Sequence, residues 1–218
     1  MRTVTAPCRQ RLTEDDYTFI SSGTDITADS GAAFVDELLD QPFVRERLLE
    51  SPCVERVSPQ LYFYVLARCV LREAGIDDRA LADYLGALLV LNLESQREQT
   101  AVPYVVDHMM RISEARGAER FFHIVELAER LLFLTGLFPH YLEQRSERRG
   151  APSLHYYAQI SRSHYRAASG HSLAQEYELA AVYALIAEAH DAMRHALNQL
   201  SERLVFLGEC GQYPWSQN

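Results

Sequence analysis

The 218-residue sequence predicts an all-α fold: a single multi-helix bundle of about seven to nine helices with a buried central helix. Three observations predict it. Glycine and proline are sparse, at 10 and 8 residues, and the segments between them are long. Those segments lack the apolar/polar alternation and the Asn-Gly or Asp-Gly turns that β-hairpins need. Apolar residues recur instead at three- and four-residue spacing, and a 48% apolar content supplies one core at a length one domain can organise.

The elements follow in chain order. Residues 1–30 mix charged and hydroxyl side chains without the apolar run of a secretory signal, and read as a flexible N-terminal arm. Ser30 then caps a short helix through Leu39, and Pro42, tolerated in a first helical turn, opens another through Leu49. Residues 51–59 form a connector. Ser58-Pro59 starts a helix from Gln60 to Ala74, and Gly75 stops it. Asp77 or Asp78 caps a helix from Arg79 to Arg97. Its Leu85–Leu91 stretch is apolar on every side except at Gly86 and ends at Asn92, which places the Leu81–Leu93 helix in the middle of a bundle, with an apolar run, Tyr84–Val90, bracketed by Asp83 and Asn92. That apolar stretch is much shorter than the roughly 20 residues a bilayer requires.

Pro103 begins a helix to about Arg116, Gly117 breaks it, and Ala118–Leu134 continues in a new direction. Gly136 and Pro139 interrupt, leaving Tyr141–Arg149 as a charged helix. Pro152 opens Ser153–Ser169, Gly170 ends it, and Ser172 caps the longest helix, reaching about Leu207. The helical domain is therefore expected over 31–207, and 208–218 as a C-terminal tail.

A net charge of -9 and a pI near 5.4 repel phosphate backbones and anionic lipid, so neither nucleic acid nor membrane is an expected partner. All 21 basic residues are arginine. Without lysine there is no Schiff base, no Walker A lysine and no Ser-x-x-Lys nucleophile. Cys8, Cys53, Cys69 and Cys210 are scattered and form no C-x-x-C pair, as expected of reduced cytoplasmic thiols. The zincin, nucleophile-elbow, dinucleotide and EF-hand patterns are absent as well.

Three constellations remain. Arg145, Arg148, Arg149, Arg162 and Arg166 make a basic island over 143–168, against only Glu143 and Glu147. Within it, His155, Arg162 and Arg166 share one helical face while Leu154, Tyr157, Ile160, His164 and Ala168 share the other. Tyr157 and His164 could then line a pocket for a small anion beside bidentate guanidinium groups. Glu119, His123, Glu126 and Arg130 recur every three or four residues on one helix. Glu188, Asp191 and His195 do so on another, opposite a stripe of Leu179, Val182, Ile186, Met193, Leu197, Leu200 and Leu204. Carboxylates and imidazoles at such spacing hold di-metal centres when they face inward, and form ordinary polar ladders when they face solvent.

The run Leu132-Phe133-Leu134-Thr135-Gly136-Leu137-Phe138-Pro139, followed by Tyr156-Tyr157 and Tyr165, resembles a set of uncharacterised bacterial helical proteins. They share a Phe/Leu-rich run ending in Gly-x-Phe and a later tyrosine pair. The resemblance spans about residues 120–170, implies a helical fold and carries no functional residue over. The expected function is that of a non-catalytic cytoplasmic interaction or regulatory protein working through the arginine-rich surface. The alternatives are a helical-bundle metalloenzyme using Glu119, His123, Glu126, Glu188, Asp191 and His195, or a binder of a small anion. A protein partner is expected, long helices with wide apolar faces also suit a homodimer, and no cofactor is specified.

Overall fold

A computed structural model describes residues 3–4, 6–22, 32–50, 57–94 and 105–209. Among these residues there are helices and no strands, as the sequence predicts. The expected cap at Ser30, most of the 51–59 connector, the helix end at 95–97, the start at Pro103 and residues 210–218 lie outside the described residues. Contacts group the helices into two compact units, one of Ala6–Val90 with Glu202–Asn218, the other of Met1–Thr5 with Leu91–Ser201.

In the first unit a 3-10 turn (Cys8–Arg11) precedes α1 (Glu14–Ser21), α2 (Ala32–Leu39), α3 (Pro42–Arg45, continued by a π turn Glu46–Glu50), α4 (Pro59–Glu73) and α5 (Arg79–Glu94). The N-terminal segment is thus no loose arm over 6–22. Thr13 and Asp16 close a capping box, and Asp16, Phe19 and Ile20 are buried on α1. Asp16 does double service: Oδ2 accepts from the Thr13 amide at 2.8 Å and Oδ1 from the Ser58 amide at the start of α4, also at 2.8 Å.

Ser58 and Pro59 start α4 as their types dictate, with the Ser58 hydroxyl accepting from the Leu61 amide at 3.1 Å. At its end Gly75 takes φ +79, and the Ile76 amide reaches back to Leu71 O at 2.8 Å. Leu61 through Leu71 are all buried. Asp78 caps α5 through the Leu81 amide, and Leu81–Gly86 and Leu88–Val90 are buried, so the expected all-round apolar helix is an interior one. Gly86 permits the approach of α5 to α4: a Cβ there would lie 3.1 Å from both Cys8 Sγ and the Tyr64 amide nitrogen.

The second unit holds α6 (Val105–Glu114), α7 (Gly117–Leu137), α8 (Pro139–Arg149), α9 (Leu154–Ser169), α10 (Ser172–Glu176), α11 (Ala180–Glu188) and α12 (His190–Glu209) through Ser201. Helix α9 lies between α7 and α11, with Ser161 Oγ donating to Ala128 O at 2.8 Å. Gly117 does separate α6 from α7, at φ +55. Gly136 interrupts nothing: α7 runs through it, and Leu197 of α12 occupies the space a side chain there would fill.

Twelve α-helices occur among the described residues, more than the seven to nine expected. One of the surplus is α1; the others arise because the long helix expected over 172–207 is three. Glu178 adopts φ 58, and the Leu179 amide bonds Ala174 O at 2.8 Å, a helix stop of the kind glycine usually makes. A second break, at Ala189, is held from outside. Arg162 Nε donates to Ala187 O at 2.8 Å and Nη2 to Glu188 O at 3.4 Å, satisfying carbonyls that the bend frees. The apolar stripe survives both breaks: Val182, Ile186, Met193, Leu197 and Leu200 are buried.

Candidate interaction surface

Helices α8 and α9 are joined by a tight connection, in which Gly150 (φ 62) ends α8 and Ser153 caps α9 through the Tyr156 amide at 3.2 Å. At about 100° per residue, Tyr141, Arg145 and Arg148 fall on one stripe of α8. The Arg145 guanidinium lies over the Tyr141 ring, 5.8 Å from its centroid. Its charge also reaches the phenol of Tyr157 on α9: burial pushes that phenol above its ordinary pKa, and Arg145 opposes the shift. Tyr156 stacks edge-on against Tyr157 and remains 44% exposed, while Tyr141 is 45% exposed. Arg148, Arg149 and Arg166 are exposed, and among the described residues neither they nor Arg145 form an ion pair.

The sequence-level island is therefore reduced by one. Arg162 turns away from this surface to bind the α11 carbonyls. Tyr157 and His164 are buried on the side the periodicity assigned to them, yet they do not join Arg162 in an anion pocket. His164 and Arg162, two residues apart, point to opposite sides of α9, and the His164 Nδ1 is hydrogen-bonded to Ile160 O at 2.8 Å. Burial holds the His164 imidazole below its ordinary pKa, so it sits neutral in the packing.

The two rows of expected metal ligands stay apart. His123 lies 3.9 Å from Glu119 and 3.8 Å from Glu126, contacts of a helical ladder. Glu188, Asp191 and His195 are exposed, and His195 Nδ1 bonds Asp191 O of its own helix at 2.8 Å. Among the described residues no three His, Cys, Asp or Glu side chains are placed to hold a metal ion. Sequence reasoning passed over His108. It is buried on the face of α6 formed by Val105 and Ile112 and continued by Ala115 just beyond the helix, and its pKa is lowered by burial while Glu126 opposes and Arg130, Arg111 and His123 add to the shift. The signal was present in the 105, 108, 112, 115 spacing.

Protein-family models, curated proteins and solved structures give no match to this chain.

The first unit contains a second charged assembly that the sequence did not reveal. Arg9 Nε meets Asp83 at 2.6 Å and its Nη1 meets Asp36. Asp40, at the end of α2, receives Arg68, Arg72 and Arg79 at 3.1, 3.0 and 2.7 Å, and Arg68 also pairs with Asp77. Burial alone would raise the Asp40 carboxyl, but hydrogen bonds from Arg68 and Arg79 outweigh it and hold the pKa below the ordinary value. At Asp83 burial prevails over the Arg9 contacts and the pKa is raised. Burial also pushes the Tyr64 phenol and the Cys8 thiol up to about 12, which leaves both protonated and Cys8 a poor nucleophile. Four guanidinium groups and four carboxylates thus answer one another, and the assembly staples the 3-10 turn, α2, α4 and α5.

Proposed function

We propose that this is a non-catalytic cytoplasmic interaction or regulatory protein, and that the α8–α9 surface bearing Tyr141, Arg145, Arg148, Arg149, Tyr156 and Arg166 receives a protein partner. The observation that carries this reading is the contrast between the two sets of arginines. In the first unit Arg9, Arg68, Arg72 and Arg79 are all matched by aspartates, whereas Arg145, Arg148, Arg149 and Arg166 have no carboxylate partner among the described residues. Unpaired guanidinium groups beside exposed tyrosine rings are the residue types enriched at the centres of protein interfaces. Among the described residues no helix is long and apolar enough to cross a membrane.

The test is capture of partner by the tagged full chain, compared with a variant carrying Arg145→Gln, Arg148→Gln, Arg149→Gln and Arg166→Gln. Loss of capture with an unchanged circular dichroism spectrum is the expected result. Retained capture removes the surface from consideration.

A further inference from the structure

Resting on that reading, we propose that the occupant of the α8–α9 surface is an acidic segment of a protein partner, a helix of about ten residues laid along α9 with carboxylates near both ends. From Arg148 to Gln175 the chain has no aspartate or glutamate, a run of 28 residues in a sequence that carries 30 such residues among 218. An even distribution would put about four there. The exposed residues of α9, including Tyr156, Gln159, Ser163 and Arg166, therefore form a face without negative charge on a molecule of net charge -9. On α8 the acids are set aside: Glu143 and Glu147 lie about 100° or more around the helix from each of Tyr141, Arg145 and Arg148. Glu143 is moreover paired with His140 at 3.4 Å.

The positive groups sit at two places. Arg148 and Arg149 close α8 next to the first turn of α9, and Arg166 follows Tyr156 by ten residues, about 15 Å along the axis. A helix with carboxylates at both ends spans that distance in about ten residues, and its apolar side chains would meet the rings of Tyr141 and Tyr156. Guanidinium forks match carboxylates bidentately, which gives the contact its orientation. A nucleic-acid strand fits less well. It carries charge continuously and would need cationic contacts beyond the two ends of this short face, on a molecule of net charge -9.

The test uses fluorescence anisotropy on the intact chain with two labelled probes. One is an alanine-based helical peptide with a glutamate pair at each end, ten residues apart; the other is single-stranded oligouridylate of equal charge. The expected result is saturable binding of the peptide that weakens as salt rises, no comparable binding of the oligonucleotide, and roughly tenfold weaker peptide binding by the Arg148→Gln, Arg149→Gln, Arg166→Gln triple variant. These three side chains are exposed, so the variant keeps its fold, which circular dichroism checks. Binding of the oligonucleotide but not the peptide overturns the acidic-segment assignment. Failure of the peptide to bind, while the four-arginine variant still loses partner capture, also overturns that assignment and leaves the interaction surface standing. Peptide binding unaffected by the triple variant overturns both.

Discussion

At Gly136 the α7 backbone meets α12 with no side chain between them, and an alanine there measures how close the two helices are. Its Cβ would lie 2.5 Å from Leu197 Cβ, 2.7 Å from Leu197 Cδ1 and 3.2 Å from Leu197 Cγ, whereas carbon atoms in contact sit about 3.5–4.0 Å apart. The nearest obstacle is a Cβ, fixed to the α12 backbone, so no rotamer change relieves it and the helices must separate by about 1 Å. Overpacking of this kind costs about 1–3 kcal/mol, and the upper end applies because the neighbour is rigid. Alanine returns about 1 kcal/mol through helix propensity, which leaves a net loss of about 2 kcal/mol for Gly136→Ala. Urea unfolding followed at 222 nm reads this directly as a lower unfolding free energy, and thermal unfolding should show a fall in melting temperature of about 4–8 °C. Leu197→Ala added to Gly136→Ala should restore little, because it removes Cγ and Cδ1 but leaves the 2.5 Å contact in place. A Gly136→Ala protein as stable as the wild type, or more stable, would refute the close crossing.

Two further outcomes follow from the second unit. Arg162→Gln should destabilise by about 1–2 kcal/mol in the same urea assay, by uncovering the Ala187 and Glu188 carbonyls at the α11–α12 bend, and should leave partner capture unchanged; a stability equal to wild type would show that the bend holds without the guanidinium. His190 is 1% exposed, and burial depresses its pKa from 6.5 to about 4, with Arg194 and Arg162 adding to the effect and Asp191 opposing it. The unfolded chain then takes up a proton below about pH 6.5 that the folded chain refuses until about pH 4, so stability falls as pH is lowered across that window, by up to about 3 kcal/mol. A pH series of unfolding free energies should show the slope in the wild type and a shallower one in His190→Gln; equal slopes would assign the effect elsewhere. Asp40 acts in the same direction at lower pH, since its depressed pKa supplies stability that is lost as pH falls through the folded value.

How legible the fold was depends on what kind of residue marks each feature. Ser58-Pro59, Gly75, Gly117 and Gly170 announce helix ends through backbone chemistry of their own, and they stand where the sequence placed them. The breaks at Glu178 and Ala189 have no such marker. Glutamate is forced into a left-handed conformation there, and alanine bends because an arginine from another helix binds the carbonyls before it. Gly136 misleads in the opposite sense, as a glycine retained inside a helix for space rather than for a turn. Helix α1 was hidden by its composition, since Glu14, Asp15 and Asp16 look like solvent-exposed polarity until Asp16 is seen capping two helices. The candidate surface was legible as a cluster of charge. Its separation from Arg162 was not, because that depends on where α11 ends. Apart from the pairing to Asp77, the arginine–aspartate assembly joins residues 27 to 74 positions apart, and no local pattern encodes such pairings.

The shared carboxylate of Asp16 gives the first unit a form of cooperativity that neither helix has alone. Its two oxygens serve the Thr13 amide, three residues away in sequence, and the Ser58 amide, 42 residues away. A turn of α1 that unwinds takes a hydrogen-bond acceptor away from Ser58, the N-cap of α4. A fraying α4 in turn leaves a buried carboxylate half satisfied. Local opening at either end is thereby converted into a shared event, and the segment that looked most dispensable in the sequence becomes a clasp on the most deeply buried helix of its unit.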